Sequence, residues 1–348
     1  MTEAWQNESI EIDNGVVDVE MDIAPAFEDQ VVRTQRLSDF GASVRSGLTA
    51  PRKKLSSMYL YDAIGSALFE AICHLREYKC TVGEKRNLRS IGGELNRAIP
   101  DVRRIVELGG GSGEKAALLL ESISAQQGDL VFHNVDISAK ALELSQSNIA
   151  ALPGVRFMPH RDSFERGLAE ALSMRNGEPI LVLFLGSSIG NFDRPGATNL
   201  LKDIRRLLHR GDHLLLGTDL VKPERQLISA YDDPQGVTAA FNMNLLARMN
   251  FELGADFNLR RFRHEARWVT QGANRIEMHL VSTVAQTVNI PGAGLIVEFR
   301  KGESILTEKS HKYTPVEISR WANEVGFDLM QQWIDKPSLF ADNLLQAR

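Results

Sequence analysis

The chain has 348 residues, 43% hydrophobic and 24% charged, a balance that suits a globular protein of one large or two ordinary domains. A formal net charge of -5 and a pI near 6.0 give no electrostatic reason to expect nucleic acid as a partner, and Cys73 and Cys80 make neither a disulfide framework nor a metal-ligand set. The acidic start lacks the basic and apolar regions of a leader, and no apolar run approaches bilayer-spanning length, so the expectation is a reduced, cytoplasmic chain without a membrane partner.

In chain order, residues 1–30 are acid-rich and aperiodic, which predicts a mobile tail. Apolar spacing predicts a helix over 31–47 and another over 65–72, where Leu68, Phe69 and Ile72 share a face. A polar and aromatic stretch, 75–82, then precedes a long helix over 84–98. From Arg103 the pattern is β-α-β: strands at 104–108, 130–135, 155–158, 179–185 and 213–217 alternate with helices at 114–124, 139–150, 164–173 and 194–208. Continuous apolar strands between amphipathic helices mean a parallel sheet covered on both faces, with its crevice beyond the carboxyl ends of the strands.

After Leu220 the rhythm changes to helices at 224–230 and 236–253, strand-like runs at 275–288 and 295–300, a helix at 315–325 and a last strand at 329–333. The basic run Arg260-Arg261-Phe262-Arg263-His264 is flanked by acids and reads as a solvated face. The expected fold class is α/β: a Rossmann-like domain of residues 83–221 plus 313–348, and a second, α+β substrate-binding domain of residues 31–82 plus 222–312.

The segment Ile105-Val-Glu-Leu-Gly-Gly-Gly-Ser-Gly-Glu-Lys115 joins a strand to a helix through a turn in which Gly109, Gly111 and Gly113 alternate. Glycines let such a turn take positive φ and approach a ligand that a Cβ would hold off. Glu107, two places before the first glycine, and Glu114, where a dinucleotide fingerprint has its third glycine, shift the reading from NAD to S-adenosylmethionine. Asp136, ending the second strand, is the acceptor for the ribose hydroxyls, with a helix cap as its plainer role. Asp162 with Ser163 stands after the third strand, for the adenine amino group or again for a cap. Lys115 can reach the cofactor's carboxylate or a nearby acid, or lie on the surface, and Glu107 is expected to be buried. Asn191, in the loop after the fourth strand, can donate and accept at once, as a substrate with amine and carboxylate requires; standing alone it reads as a turn residue.

Longer motifs add to this: Phe184-Leu-Gly-Ser-Ser-Ile-Gly-Asn191, Leu216-Gly-Thr-Asp-Leu-Val-Lys222, Ala230-Tyr-Asp-Asp-Pro-Gln-Gly-Val-Thr-Ala-Ala-Phe-Asn242, Ile276-Glu-Met-His-Leu280 and Thr307-Glu-Lys-Ser310. With Tyr61-Asp62 and the glycine-serine segment at Gly65, they resemble the histidine-specific, S-adenosylmethionine-dependent Nα-methyltransferases of ergothioneine biosynthesis, from about Gly47 to the C-terminus. The resemblance implies trimethylation of the α-amino group of L-histidine to Nα,Nα,Nα-trimethylhistidine (hercynine), with S-adenosylhomocysteine as by-product and no metal. It also implies that Asn191 and Tyr231 hold the substrate's carboxylate and amine and that Tyr61 orients the amine, making Tyr61 and Asn191 the catalytic candidates. Glu308 and Ser310 would recognise the imidazole, Tyr78 would line its pocket and Met278 would pack against the ring. A small amino acid is the partner so implied, and a monomer is the expectation. Two places depart from the family pattern: the segment Arg76 to Val82, which keeps Tyr78, and Asn134, where some relatives carry an acid. Other readings are N-methylation of another amino acid such as a tryptophan derivative, a non-catalytic cofactor-binding protein, and an NAD-dependent dehydrogenase.

Overall fold

The computed structural model describes residues 24–348, with side chains from Gln35 onward. The expected acidic tail therefore lies largely outside the described residues; its end, from Ala24, opens helix α1 (Ala24–Leu48), which starts ahead of the helix expected at 31–47. Helices α2 (Ala63–Cys73) and α3 (Lys79–Ala98) follow. Here α3 begins before the expected residue 84, so the segment read as an interruption supplies its first turn. Leu88, Ile91 and Leu95 give it a buried stripe at i, i+3, i+7.

The β-α-β rhythm is realised as β1 (Arg104–Leu108), α4 (Glu114–Gln127), β2 (Leu130–Val135), α5 (Ala139–Ile149), β3 (Val155–His160), α6 (Phe164–Ser173), β4 (Ile180–Phe184), α7 (Arg194–Leu207) and β5 (His213–Asp219). Beyond it come α8 (Glu224–Tyr231), α9 (Val237–Leu253), β6 (Phe262–Val269), β7 (Arg275–Ser282), β8 (Gln286–Ile290), β9 (Leu295–Phe299), β10 (Ser304–His311), α10 (Pro315–Glu324), β11 (Phe327–Asp335) and β12 (Phe340–Ala347).

Seven strands form one sheet in the order β11-β12-β5-β4-β1-β2-β3. Strands β1 to β5 run parallel as expected, but β12 enters antiparallel between β5 and β11, which corrects the all-parallel expectation. Asp342-Asn343 in its middle masks β12 in the sequence. Both residues are buried with partners: Asn343 Nδ2 donates to Leu216 O at 2.7 Å, and Asp342 Oδ2 accepts from Asn87 Nδ2 at 2.9 Å. With Asn343 and one Asp342 oxygen partnered, burial of Phe340, Leu344 and Leu345, worth about 1.5–3 kcal/mol for each side chain, settles the strand.

Side chains alternate across the sheet. Ile105, Leu181 and Leu183 join a core with α3 and α4, whereas Val106, Val182 and Phe184 pack with α6, α7 and α10 on the opposite face. A third core unites α1, α2, α8 and α9 with the antiparallel sheet β10-β7-β6 and the β8–β9 hairpin. The single strand expected over 275–288 is divided between β7 and β8, and β6 was not recognised in the sequence. The basic run before it is only partly a solvated face: Arg260, Arg261 and Arg263 are exposed, but Phe262 is buried and His264 Nε2 donates to the backbone carbonyl of Tyr231 at 2.7 Å. No helix among the described residues is long and apolar enough to cross a membrane, and no group of three or more His, Cys, Asp or Glu among them could hold a metal ion.

One short turn carries Tyr61 into the interior. Asp62 caps α2 by accepting from Gly65 N at 2.6 Å, and also accepts from Asn244 Nδ2 of α9 at 2.8 Å. A Cβ on Gly65 would sit 1.7 Å from Leu60 O, so the turn admits only glycine without movement. Gly65→Ala is expected to cost about 1–3 kcal/mol in urea unfolding, the usual range for overpacking; a loss below about 0.5 kcal/mol, ordinary for a surface change, would contradict this account of the turn.

Candidate active site

The glycine turn has the backbone its sequence implies, with φ of 68° at Gly109, 54° at Gly111 and 72° at Gly113. Sequence reasoning passed over Gly110, where a Cβ would lie 2.5 Å from both Asn134 Oδ1 and Glu107 Oε2. A Cβ on Gly111 would meet nothing within 4 Å, so the turn opens there. Gly111 N donates to Asp136 Oδ2 at 3.1 Å and Ser138 N to Asp136 Oδ1 at 2.8 Å, which fixes the carboxylate at the end of β2. Burial pushes the Asp136 carboxyl above its ordinary range, against those backbone donors.

Glu107 is buried as expected, and its Oε2 and both amide atoms of Asn134 have no hydrogen-bond partner among the described residues. Unpartnered buried polar atoms are rare in folded proteins. Three of them beside a glycine turn that leaves no room for a Cβ at Gly110 and is open at Gly111 form a cradle suited to a polar nucleoside ligand, and they fit S-adenosylmethionine. Ser163 caps α6 by accepting from Arg166 N at 3.4 Å, and Asp162, one residue ahead of the cap, accepts from Ser163 N at 2.7 Å. Lys115 is not a surface lysine. Its Nζ donates to Glu84 Oε2 at 2.9 Å, and Glu84 Oε1, on a fully buried side chain, accepts from Gly186 N at 2.6 Å. Burial opposes the Lys115 charge, but Glu84 holds its pKa above the ordinary value.

On the substrate side, Gly186 and Ser187 take positive φ, 74° and 58°, and lead into the short helical turn Ser188–Asn191. Ser187 is held there by Asp219 N, which donates to its Oγ at 2.9 Å. A Cβ on Gly190 would lie 2.9 Å from His311 O, so this loop packs directly on β10. Tyr61 lies near Asn191, and the negative charge of Glu308 adds to burial in raising its phenol. Its ring lies 5.4 Å from Phe69 and 5.5 Å from Phe241, and Tyr78, at the start of α3, lies 6.0 Å from Tyr231. Burial raises all three phenols, Tyr231 to about 12, so they act as neutral hydrogen-bonding groups near pH 7.

Glu308 stands opposite Met278 in the β10–β7 ladder, with both side chains buried. Burial pushes the Glu308 carboxyl up to about 7 against Lys312, and its Oε2 has no partner among the described residues. Ser310, on the same face of the strand, meets the Tyr231 hydroxyl at 2.8 Å. Sequence reasoning missed Lys312, the next residue in that alternation. It is fully buried at the side chain, 2.8 Å from Tyr231 Oη, 2.8 Å from Ser310 Oγ and 2.9 Å from Asp219 Oδ2. The structure thus gathers Tyr61, Tyr78, Asn191, Tyr231, Met278, Glu308 and Ser310 around one site, and the Gly186-to-Asn191 loop joins it to the glycine turn through Glu84.

The buried Glu107 gives the ligand-free protein a pH signature. Its folded pKa is raised by burial from 4.5 to about 8. Between those values the native chain holds a proton that the unfolded chain has lost, so this contribution is fully present below pH 4.5 and is lost as pH rises through about 8. Glu107→Gln is therefore expected to flatten the decline in urea midpoint over that interval, whereas an unchanged slope would show that Glu107 does not titrate there.

Residues 40–347 match the model of a family described as histidine-specific methyltransferase, SAM-dependent. Histidine N-alpha-methyltransferase of Mycolicibacterium smegmatis is 39% identical over 302 residues, 86% of this chain and 92% of that protein. The protein of the same name from Mycobacterium tuberculosis is 37% identical with the same coverage. A 4-dimethylallyltryptophan N-methyltransferase of Epichloe festucae var. lolii is 30% identical over 218 residues, 59% of this chain and 60% of that one. With a family match over residues 40–347 and a relative 39% identical over 86% of the chain, the protein belongs to the histidine-specific, S-adenosylmethionine-dependent methyltransferases.

Proposed function

We propose that the protein transfers methyl groups from S-adenosylmethionine to the α-amino nitrogen of L-histidine until it carries three, the first step of ergothioneine biosynthesis. The observation that carries the choice of histidine is the pair on β10: an orphaned buried carboxylate, Glu308, and a hydroxyl, Ser310, on one strand face against an aromatic wall. An imidazole offers an N–H to the first and a lone pair to the second. When bound, the cofactor supplies a methyl group on a sulfonium, ready for in-line transfer.

The chain's own residues supply alignment. Glu107, the glycines 109, 111 and 113, Asp136, Asp162, Ser163 and Lys115 would hold the donor. Asn191 and Tyr231 would hold the amino acid's carboxylate and amine, which leaves the nitrogen pointing at the donor. Tyr61, neutral through burial, accepts from the amine and orients its lone pair. A free α-amine has a pKa of about 7.7–8.0, and desolvation among Tyr61, Phe69 and Phe241 favours its neutral, nucleophilic form. The same aromatic faces suit the quaternary ammonium product. The proposed two domains, 83–221 plus 313–348 and 31–82 plus 222–312, with the substrate between them, draw support from the third core, which is built mostly of residues from the second of them.

A tryptophan derivative is the alternative, and it fits the hairpin poorly. An indole has one N–H donor and no acceptor, so it would leave the buried Ser310 hydroxyl facing an apolar ring. Initial rates on a panel of amino acids test this: histidine is expected to exceed tryptophan by at least about 100-fold, the discrimination expected where a polar site is left unpaired, and equal rates would overturn the histidine reading. Asn191→Ala is expected to lose about 100-fold in turnover, the scale of a misplaced reacting group, while binding S-adenosylhomocysteine as the parent does. Unchanged turnover would remove Asn191 from the mechanism.

A further inference from the structure

Three polar groups at the end of β10 form a closed triangle whose hydrogen bonds can be counted. Lys312 Nζ is 2.8 Å from Tyr231 Oη and 2.8 Å from Ser310 Oγ, Tyr231 Oη is 2.8 Å from Ser310 Oγ, and Lys312 is anchored from behind by Asp219 Oδ2 at 2.9 Å. An ammonium has three protons and accepts nothing. Two Lys312 protons are therefore committed to Tyr231 and Ser310, and the ammonium is paired with the Asp219 carboxylate behind it. The second Asp219 oxygen takes Lys222 at 2.5 Å, so the anchor does not turn away.

Each hydroxyl has one proton and two lone pairs. Tyr231, the stronger acid of the two, gives its proton to Ser310. Ser310 Oγ then accepts from both Lys312 and Tyr231, both lone pairs are filled, and its own proton is the one left over. It can act toward a ligand only as a donor. On the same strand face, Glu308 Oε2 is an unpartnered acceptor.

We infer that Lys312 is the positioning residue that sets substrate specificity: by filling a lone pair of Ser310 it fixes the hydroxyl as a donor, so that donor and the Glu308 acceptor together select a ring with an acceptor nitrogen and an N–H. This rests on the reading that Glu308 and Ser310 receive the imidazole. It extends it by naming the group that removes the ambiguity of a serine hydroxyl, which otherwise donates or accepts with equal ease. It also sets the tautomer, since the proton-bearing ring nitrogen must face Glu308.

The charge of Lys312 has a second effect on the same subsite. The charged and titratable groups around Glu308 are Tyr61 and Lys312, and Lys312 is the one that favours its ionised form. Around Lys312 itself stand Asp219, Tyr231, Cys80 and Ser310. Removing the ammonium raises the Glu308 pKa further, so the acceptor form appears at higher pH.

The test compares L-histidine with β-(2-thienyl)-L-alanine, whose five-membered ring has neither nitrogen, in the parent, Lys312→Met, Ser310→Ala and the double variant. In Lys312→Met, kcat/KM for histidine is expected to fall on the order of 30-fold, the scale of a charge-assisted hydrogen bond, mainly through KM. The thienyl substrate is expected to change less than threefold, and the acid limb of the histidine pH profile to move to higher pH. At pH above the acid limb, where Glu308 is ionised in every variant, Lys312 acts through Ser310, so its loss in the Ser310→Ala background is expected to reduce the ratio of histidine to thienylalanine little further. S-adenosylhomocysteine binding checks that the variants fold. Should Lys312→Met not fold, Tyr231→Phe frees one Ser310 lone pair with Lys312 in place and is expected to lower the same ratio. A parent that does not prefer histidine to thienylalanine defeats the imidazole reading itself. A parent that does, with variants that keep the ratio and the pH limb, or with additive losses in the double variant, defeats the role of Lys312 alone.

Discussion

The structure depends on a carboxylate that never meets water. Glu84 is fully buried in α3 and spends one oxygen on Lys115, at the start of the helix after the glycine turn, and the other on Gly186 N, at the start of the substrate loop. Gly217 of β5 makes room for it, since a Cβ there would lie 2.3 Å from Glu84 Oε1. Removing one partner of a buried ion pair costs about 3–5 kcal/mol, because the other charge is left without compensation. The helix after the glycine turn, proposed to hold the donor, and the Asn191 loop, proposed to hold the acceptor, are therefore tied to one group. Methyl transfer is in line and loses rate steeply when the reacting atoms are misplaced by an ångström. A rigid tie between the two loops is what such a reaction needs.

A second buried network approaches the same loop from the other side. Asp219, at the end of β5, receives Lys312 and Lys222 through its side chain, and its N–H holds the strained Ser187. The two cations keep the Asp219 carboxyl below its ordinary pKa against its burial. The loop that bears Asn191 is thus fixed at its first residue by Glu84 and at its second by Asp219, and it is pressed on β10 where Gly190 meets His311. Through Lys312 the same acid supports Tyr231 and Ser310. The glycine-turn helix, the Gly186-to-Asn191 loop and β10 are in this way parts of one hydrogen-bonded frame, although they come from well-separated segments of the chain.

Much of this was legible in the sequence where periodicity or motif spacing carries it. The β-α-β order from Arg104 and the positive-φ glycine turn are found where they were expected. What was missed has a common cause, which is polar residues in buried elements. Asp342-Asn343 hides β12 because two polar residues in a strand look like a loop until Asn87 and Leu216 are there to partner them. Glu84 and Lys312 look like surface charges until topology brings Lys115 and Asp219 to meet them.

The most direct measurement is the mass and fragmentation of the product formed from L-histidine with excess S-adenosylmethionine. The expected result is a product with three methyl groups, all located on the α-nitrogen, and an unmodified imidazole. Unchanged histidine in the presence of demonstrably bound cofactor, or a methyl group on a ring nitrogen, would contradict the arrangement in which β10 holds the ring and Asn191 presents the amine.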